Sequence, residues 1–122
     1  MMESKELKQP NLDKVFVYGT LQSGHSRNYI LSGLKFEKAT LMSFRKVEPP
    51  DLGFPFIVRD INSEVPGEIY YKVSNSLISQ LDLIEGEGKL YHRVIVKVLL
   101  DSGKELKAFT YYPSEILIKN YL

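Results

Sequence analysis

Tyr91-His92-Arg93-Val94-Ile95-Val96-Lys97-Val98-Leu99-Leu100-Asp101-Ser102-Gly103-Lys104-Glu105-Leu106-Lys107-Ala108-Phe109-Thr110-Tyr111-Tyr112 is the longest stretch of the chain with a single reading. Its first ten residues put His92, Val94, Val96, Val98 and Leu100 on one side and Tyr91, Arg93, Ile95, Lys97 and Leu99 on the other. That is the period of two of a strand with unequal faces. Asp101 to Lys104 reads as a hairpin turn, and Glu105 to Tyr112 as the returning strand. Pro113 interrupts it, leaving Ile116 to Leu122 as a short apolar tail that packs back on the core.

Upstream of this hairpin, Leu77, Leu81 and Ile84 recur at four and three residues, predicting a helix over Ser76 to Glu85 with one apolar stripe. Ser74 is a candidate N-cap and Gly86 a closing residue. Further back, Val65 to Val73, Phe54 to Asp60 and Leu34 to Val47 read as strands, separated by the turn-like Asp60 to Glu64 and the Pro49 to Gly53 breaker. Ser26 to Leu34 has helical spacing, and Lys14 to Tyr18 is a short buried strand stopped by Gly19. About six strands with two helices predict an α+β fold whose sheet curls into a small mixed β-barrel.

The 122 residues, 43% of them apolar, suit a single domain over 14–122 behind a flexible N-terminal segment, 1–13. Sixteen Lys and Arg against fifteen Asp and Glu leave no global field toward nucleic acid or an anionic membrane. The absence of cysteine excludes disulfides, thiolate metal sites and a thiol nucleophile. No apolar run has the length of a signal peptide or a membrane span, so a cytoplasmic location is expected.

Two short motifs can carry chemistry. In Phe16-Val17-Tyr18-Gly19-Thr20-Leu21 a glycine directly follows an apolar strand, where consecutive backbone N–H groups can cradle a carboxylate or oxyanion. In Leu81-Asp82-Leu83-Ile84-Glu85-Gly86 a carboxylate ends a helix, where the negative end of the macrodipole disfavours its charge. A general base gains from that upward push on its pKa. Each motif alone also fits an ordinary structural role, a strand-to-turn boundary and a solvated Glu before a C-cap.

Other candidates are weaker. Asp82, Glu85, Glu87 and His92 lack a recognisable metal-ligand repeat, and His25 sits in the polar Ser23 to Ser26 turn as a loop or capping residue. Glu85-Gly86-Glu87-Gly88-Lys89 lacks the spacing of a phosphate loop and follows a helix rather than a strand.

The ordered set of motifs resembles the γ-glutamylcyclotransferase-like, or AIG2-like, family. The similarity runs from about Val15 to Tyr112. It rests on Val17-Tyr18-Gly19-Thr20-Leu21, Gly53-Phe54-Pro55, Val65-Pro66-Gly67-Glu68-Ile69-Tyr70, Leu81 to Gly86, Tyr91-His92-Arg93-Val94 and Ala108-Phe109-Thr110-Tyr111. The resemblance implies a mixed barrel with flanking helices that converts a small γ-glutamyl substrate to 5-oxoproline without metal or cofactor. In that reading Glu85 is the catalytic acid/base, Tyr18, Gly19, Thr20 and Leu21 form the substrate loop, and Tyr91, beside the substrate, and Arg93, on Tyr91's face, are the further substrate-binding residues. One departure is visible: many members carry a proline in the segment that here reads Gly86-Glu87-Gly88-Lys89-Leu90, which bears on leaving-group preference. The sequence leaves the substrate's identity and the oligomeric state open. A non-catalytic small-molecule-binding or interaction domain of the same fold is the alternative. A barrel binding single-stranded RNA through its tyrosines is a distant third, disfavoured by the near-neutral charge.

Overall fold

The computed structural model describes residues 12–86 and 89–122; the N-terminal segment expected over 1–13 therefore lies outside the described residues except for Leu12 and Asp13. The described elements are β1 (Val15–Val17), a 3-10 turn (Asn28–Leu31), β2 (Phe36–Val47), β3 (Phe56–Tyr70), α1 (Asn75–Glu85), β4 (Tyr91–Leu100), β5 (Glu105–Pro113) and α2 (Glu115–Tyr121). The strands close into a barrel in the order β1-β3-β2-β4-β5. Neighbours run antiparallel except where β5 returns to β1, a parallel contact with Val15 opposite Phe109.

Pleating sorts the side chains into two layers. Phe16, Leu41, Phe44, Ile57, Val65, Ile69, Val98 and Ala108, from all five strands, make the cluster that fills the barrel. The alternate residues Val15, Val17, Tyr70, Tyr91, Phe109 and Tyr111 face outward and are covered by Ile78 and Leu81 of α1, Leu117 of α2 and Leu31 of the 3-10 turn. The unequal faces of β4 follow directly, since Val98 and Leu100 point into the barrel while Tyr91 joins the outer layer.

Three expectations are corrected. The strands read as Phe54 to Asp60 and Val65 to Val73 are one element, β3, so the described strands number five. The turn signal at Asp60 to Glu64 was real, but it becomes a bulge. Pairing with β2 slips from Met42 opposite Glu64 to Phe44 opposite Arg59, and Asp60 takes hydrogen bonds from Asn62 N–H and Ser63 Oγ. The helix over Ser26 to Leu34 shrinks to the 3-10 turn, with Tyr29 74% exposed, because this segment's polar groups are committed to the loop before it. The apolar tail forms α2, capped by Ser114, whose Oγ accepts from Leu117 N–H.

The helix before the hairpin forms as the sequence indicates. Ser74 Oγ accepts from Leu77 N–H, and Gly86, at φ 64° and ψ 47°, donates its N–H to the carbonyls of Asp82 and Leu83. The left-handed conformation of Gly86 ends α1 one residue after Glu85, which fixes that carboxylate at the helix terminus. Among the described residues no helix is long and apolar enough to cross a membrane.

Candidate active site

The end of β1 and the end of α1 meet at one cavity of about 120 Å³. Tyr18, Gly19, Thr20, Leu21, Glu85 and Tyr91 all line it. Two motifs more than sixty positions apart in the chain thus share one hollow, which far exceeds the room a single water needs.

The loop side is backbone. Gln22 N–H donates to Gly19 O and Arg27 N–H to Thr20 O, at 3.0 and 2.8 Å, folding the chain into a compact turn. The amides of Gly19, Thr20 and Leu21 themselves have no hydrogen-bond partner among the described residues. Amides shielded from water rarely stay unpaired, so three in succession beside a cavity form a ready set of donors for an anionic or carbonyl oxygen. Gly19 also packs against Pro55: a Cβ there would stand 3.1 Å from the proline Cγ.

The helix side supplies the titratable group. Glu85 is the only carboxylate among the described lining residues, and its side chain is 16% exposed. Burial raises its pKa above the ordinary 4.5, while the Arg27 guanidinium, 3.9 Å from Oε2, pulls the other way. The helix terminus predicts a raised value, and removal from water is the larger cause of it.

Three phenols border the cavity, and each is already engaged as a donor. Tyr18 Oη donates to the Tyr111 carbonyl at 2.6 Å, Tyr91 Oη to the Pro55 carbonyl at 2.6 Å, and Tyr111 Oη to Asp82 Oδ1 at 2.7 Å. Burial raises the pKa of all three, with Glu85 adding to the shift, so none is poised to give up its proton at neutral pH. Tyr91 therefore holds the Phe54-Pro55 segment over the cavity by its hydroxyl, with its ring 5.9 Å from that of Phe54.

Arg93 is not among the lining residues. It shares the outward face of β4 with Tyr91, but two residues along the strand it meets Asp82 at 2.7 Å and lies over the Phe109 ring. Asp82 thus accepts from both Arg93 and Tyr111, tying α1 to β4 and β5 one turn before Glu85. The acidic group Asp82, Glu85, Glu87 and His92 does not assemble as a ligand set among the described residues, which exclude Glu87. Arg27 and the Ile84 and Leu90 walls were not singled out by sequence reasoning. Arg27 carries no local signal, since it sits in a polar loop whose path is set by the Thr20 carbonyl.

The γ-glutamyl cyclotransferase, AIG2-like family matches residues 15–120. The chain belongs to that family. A Danio rerio relative named gamma-glutamylaminecyclotransferase A is 32% identical over 111 residues, covering 82% of this chain and 68% of the relative. A Methanocaldococcus jannaschii protein provisionally named a gamma-glutamylcyclotransferase is 29% identical, covering 85% of this chain and 87% of the relative. The solution structure of an Arabidopsis thaliana protein superposes with a TM-score of 0.75 at 26% identity, over 93% of this chain and 77% of that one. The barrel with its outer helices is therefore the fold of γ-glutamyl cyclotransferases of the AIG2-like kind.

Proposed function

We propose that this protein is a γ-glutamylcyclotransferase in which Glu85 moves the protons and the Gly19 to Leu21 amides hold the substrate. The observation that carries the reading is the shared cavity: a buried carboxylate on one wall and three unpaired consecutive amides on the other.

The chemistry asks for little else. The α-ammonium of the γ-glutamyl substrate gives a proton to Glu85, and the freed amine attacks the side-chain acyl carbon, forming the ring C–N bond of 5-oxoproline. The attacking nitrogen then holds one proton more than the lactam keeps. As the tetrahedral intermediate collapses, its bond to the departing nitrogen breaks, Glu85 returns its proton to that nitrogen, and the ring nitrogen's surplus proton follows through the same carboxylate, so that the amine leaves as its ammonium. The proton count closes, and the reaction calls for no metal or cofactor. Burial raises the carboxylate's basicity toward that task. Loop amides hold the substrate by donating to its oxygens before and throughout the reaction. Because nucleophile and electrophile belong to one molecule, holding the chain folded can supply about 7–11 kcal/mol of the barrier. The released partner is an amine or an amino acid, and the near-neutral net charge supports a small molecule rather than nucleic acid or a membrane as the ligand.

Mass spectrometry of the protein incubated with γ-glutamyl amino acids and γ-glutamylamines tests the reading, the latter suggested by the zebrafish relative's name. 5-Oxoproline should accumulate with at least one of them, in stoichiometry with the released amine. Binding of such compounds without product would replace the enzyme by a non-catalytic binding domain.

A further inference from the structure

One buried carboxylate takes no part in the mechanism above. Glu68 lies on β3 opposite Val17, the last residue of β1, and is 7% exposed. Its Oε1 accepts from Ser23 N–H at 2.7 Å and from the Tyr70 hydroxyl at 3.1 Å, and its Oε2 accepts from Ser23 Oγ at 2.5 Å. The network continues from Asn28. Asn28 Nδ2 donates to Tyr70 Oη at 2.8 Å and to the Leu21 carbonyl at 2.9 Å. Burial pushes the Tyr70 hydroxyl up to about 12, so it remains a donor throughout the neutral range.

A buried carboxylate is expensive unless its oxygens are bonded, and no cation pairs with Glu68 among the described residues. Every donor it has leads to the loop that follows β1. Ser23 lies two residues beyond the three cavity amides, and the path Glu68 to Tyr70 to Asn28 ends on the carbonyl of Leu21, the last of those residues. Between Gly19 and Arg27 Leu21 alone is buried, since Gly19, Thr20 and Gln22 are half-buried and residues 23–27 are exposed. Left to itself, such a segment would have to be ordered by the ligand, at a cost in affinity.

We propose that Glu68 is a positioning residue, which holds the Gly19 to Leu21 amides in their binding geometry through Ser23 on one side and through Tyr70 and Asn28 on the other. The inference rests on the cyclotransferase reading for its kinetic consequence, and on geometry alone for the bracing. Amides that bind the substrate before and during reaction affect affinity more than the chemical step, whereas Glu85 governs the step itself.

Two measurements on Glu68→Leu separate these. In the free protein, amide hydrogen exchange should quicken over 20–28 while β2, β4 and β5 keep the parental protection. Unchanged exchange, or equal loss across the barrel, overturns the bracing. With a γ-glutamyl substrate, KM should rise about tenfold with kcat within about threefold of the parent, as expected for lost hydrogen bonds to a charged group. Glu68→Gln, which keeps an acceptor oxygen for Ser23 N–H and Tyr70, should restore KM to near the parental value. A fall in kcat at unchanged KM, or no rescue by Gln, overturns the positioning role. If the parent turns over no γ-glutamyl compound, the cyclotransferase reading fails while the exchange data still decide the bracing. Should Glu68→Leu not fold, Tyr70→Phe cuts the same path and should show the same pattern at smaller size.

Discussion

The barrel's interior and the layer outside it are built from alternate residues of the same strands, yet they differ in chemistry. Inside, Phe16, Leu41, Ile57, Val65, Ile69 and Val98 pack together, and buried Thr110 spends its hydroxyl on the Phe16 carbonyl. Outside, Glu68, Tyr70, Tyr91 and Tyr111 of the strands and Asp82 of α1 are each in a side-chain hydrogen bond. The interior is filled by buried apolar side chains from every strand. The outer layer bridges strand ends, helix and loop, so a cavity can open there and polar groups can converge on it. The proposed site therefore draws mainly on the outer face of the sheet, and substitutions should separate it from the packing of the interior.

The largest separation is expected at the cavity. Glu85→Gln should lower kcat by about 10²- to 10⁴-fold, the usual contribution of a positioned acid/base, with no loss of folding stability. Release of 5-oxoproline together with a urea unfolding curve measures both. Parental turnover in a folded Glu85→Gln protein would remove Glu85 from the mechanism.

The converse is expected at Gly67, where β3 crosses β1. A Cβ there would lie 2.4 Å from the Val17 carbonyl oxygen and 2.6 Å from the Phe16 ring. Backbone on one side and a packed aromatic on the other leave nowhere to yield. Gly67→Ala should cost about 3 kcal/mol, seen as a lower urea midpoint. A midpoint equal to the parent's would show the interior to be looser than its contacts imply.

A smaller effect belongs to the far end of α1. Ser74→Ala removes the acceptor for Leu77 N–H, worth about 1 kcal/mol, eleven residues and about three turns from Glu85. The urea midpoint should fall modestly with turnover kept. A matching loss of activity would mean that the orientation of the whole helix, and not its anchoring by Asp82, places the carboxylate.

How far this arrangement was legible in the sequence depended on whether the signal was local. Ser74, the stripe of Leu77, Leu81 and Ile84, and Gly86 specify α1 by neighbours in the chain, and the helix formed within one residue of the reading. The β4-β5 hairpin is equally local, pairing from Tyr91 opposite Pro113 to Leu99 opposite Glu105. What failed depended on distant partners. Apolar spacing over Ser26 to Leu34 promised a helix, but Thr20, Leu21 and Tyr70 claim Arg27 and Asn28 for the loop. Glu68, flanked by Gly67 and Ile69, has the pattern of a solvent-facing strand residue, and its burial is made tolerable by a serine 45 positions away together with the Tyr70 hydroxyl. Arg93 shows the limit of pattern in the site itself. Alternation gave its face correctly, but whether a side chain on that face reaches the cavity is decided by Asp82 on a helix ahead of it.

The same split between the layers should be visible in pH, as a slope rather than a step. Burial raises the Glu85 pKa above 4.5, with Arg27 only partly opposing it. Between the unfolded value and the raised folded one, the native state holds the extra proton, so stability falls as pH climbs through that window. Below the window the protonated carboxyl sits in the cavity at little cost, and above it the folded state carries a poorly solvated charge throughout. Glu85→Gln removes the titration, so its stability should decline less than the parent's between pH 4 and pH 7, and it should match or exceed the parent at pH 7. Activity should run the opposite way in the parent, rising with pH as the base loses its proton, with an acid limb displaced above 4.5. Urea midpoints across this range for the two proteins, beside the parent's kcat/KM profile, test both signs. A parent whose stability rises from pH 4 to pH 7 more steeply than the variant's would mean that Arg27 outweighs burial and that the carboxylate is stabilised in its charged form rather than held ready to accept a proton.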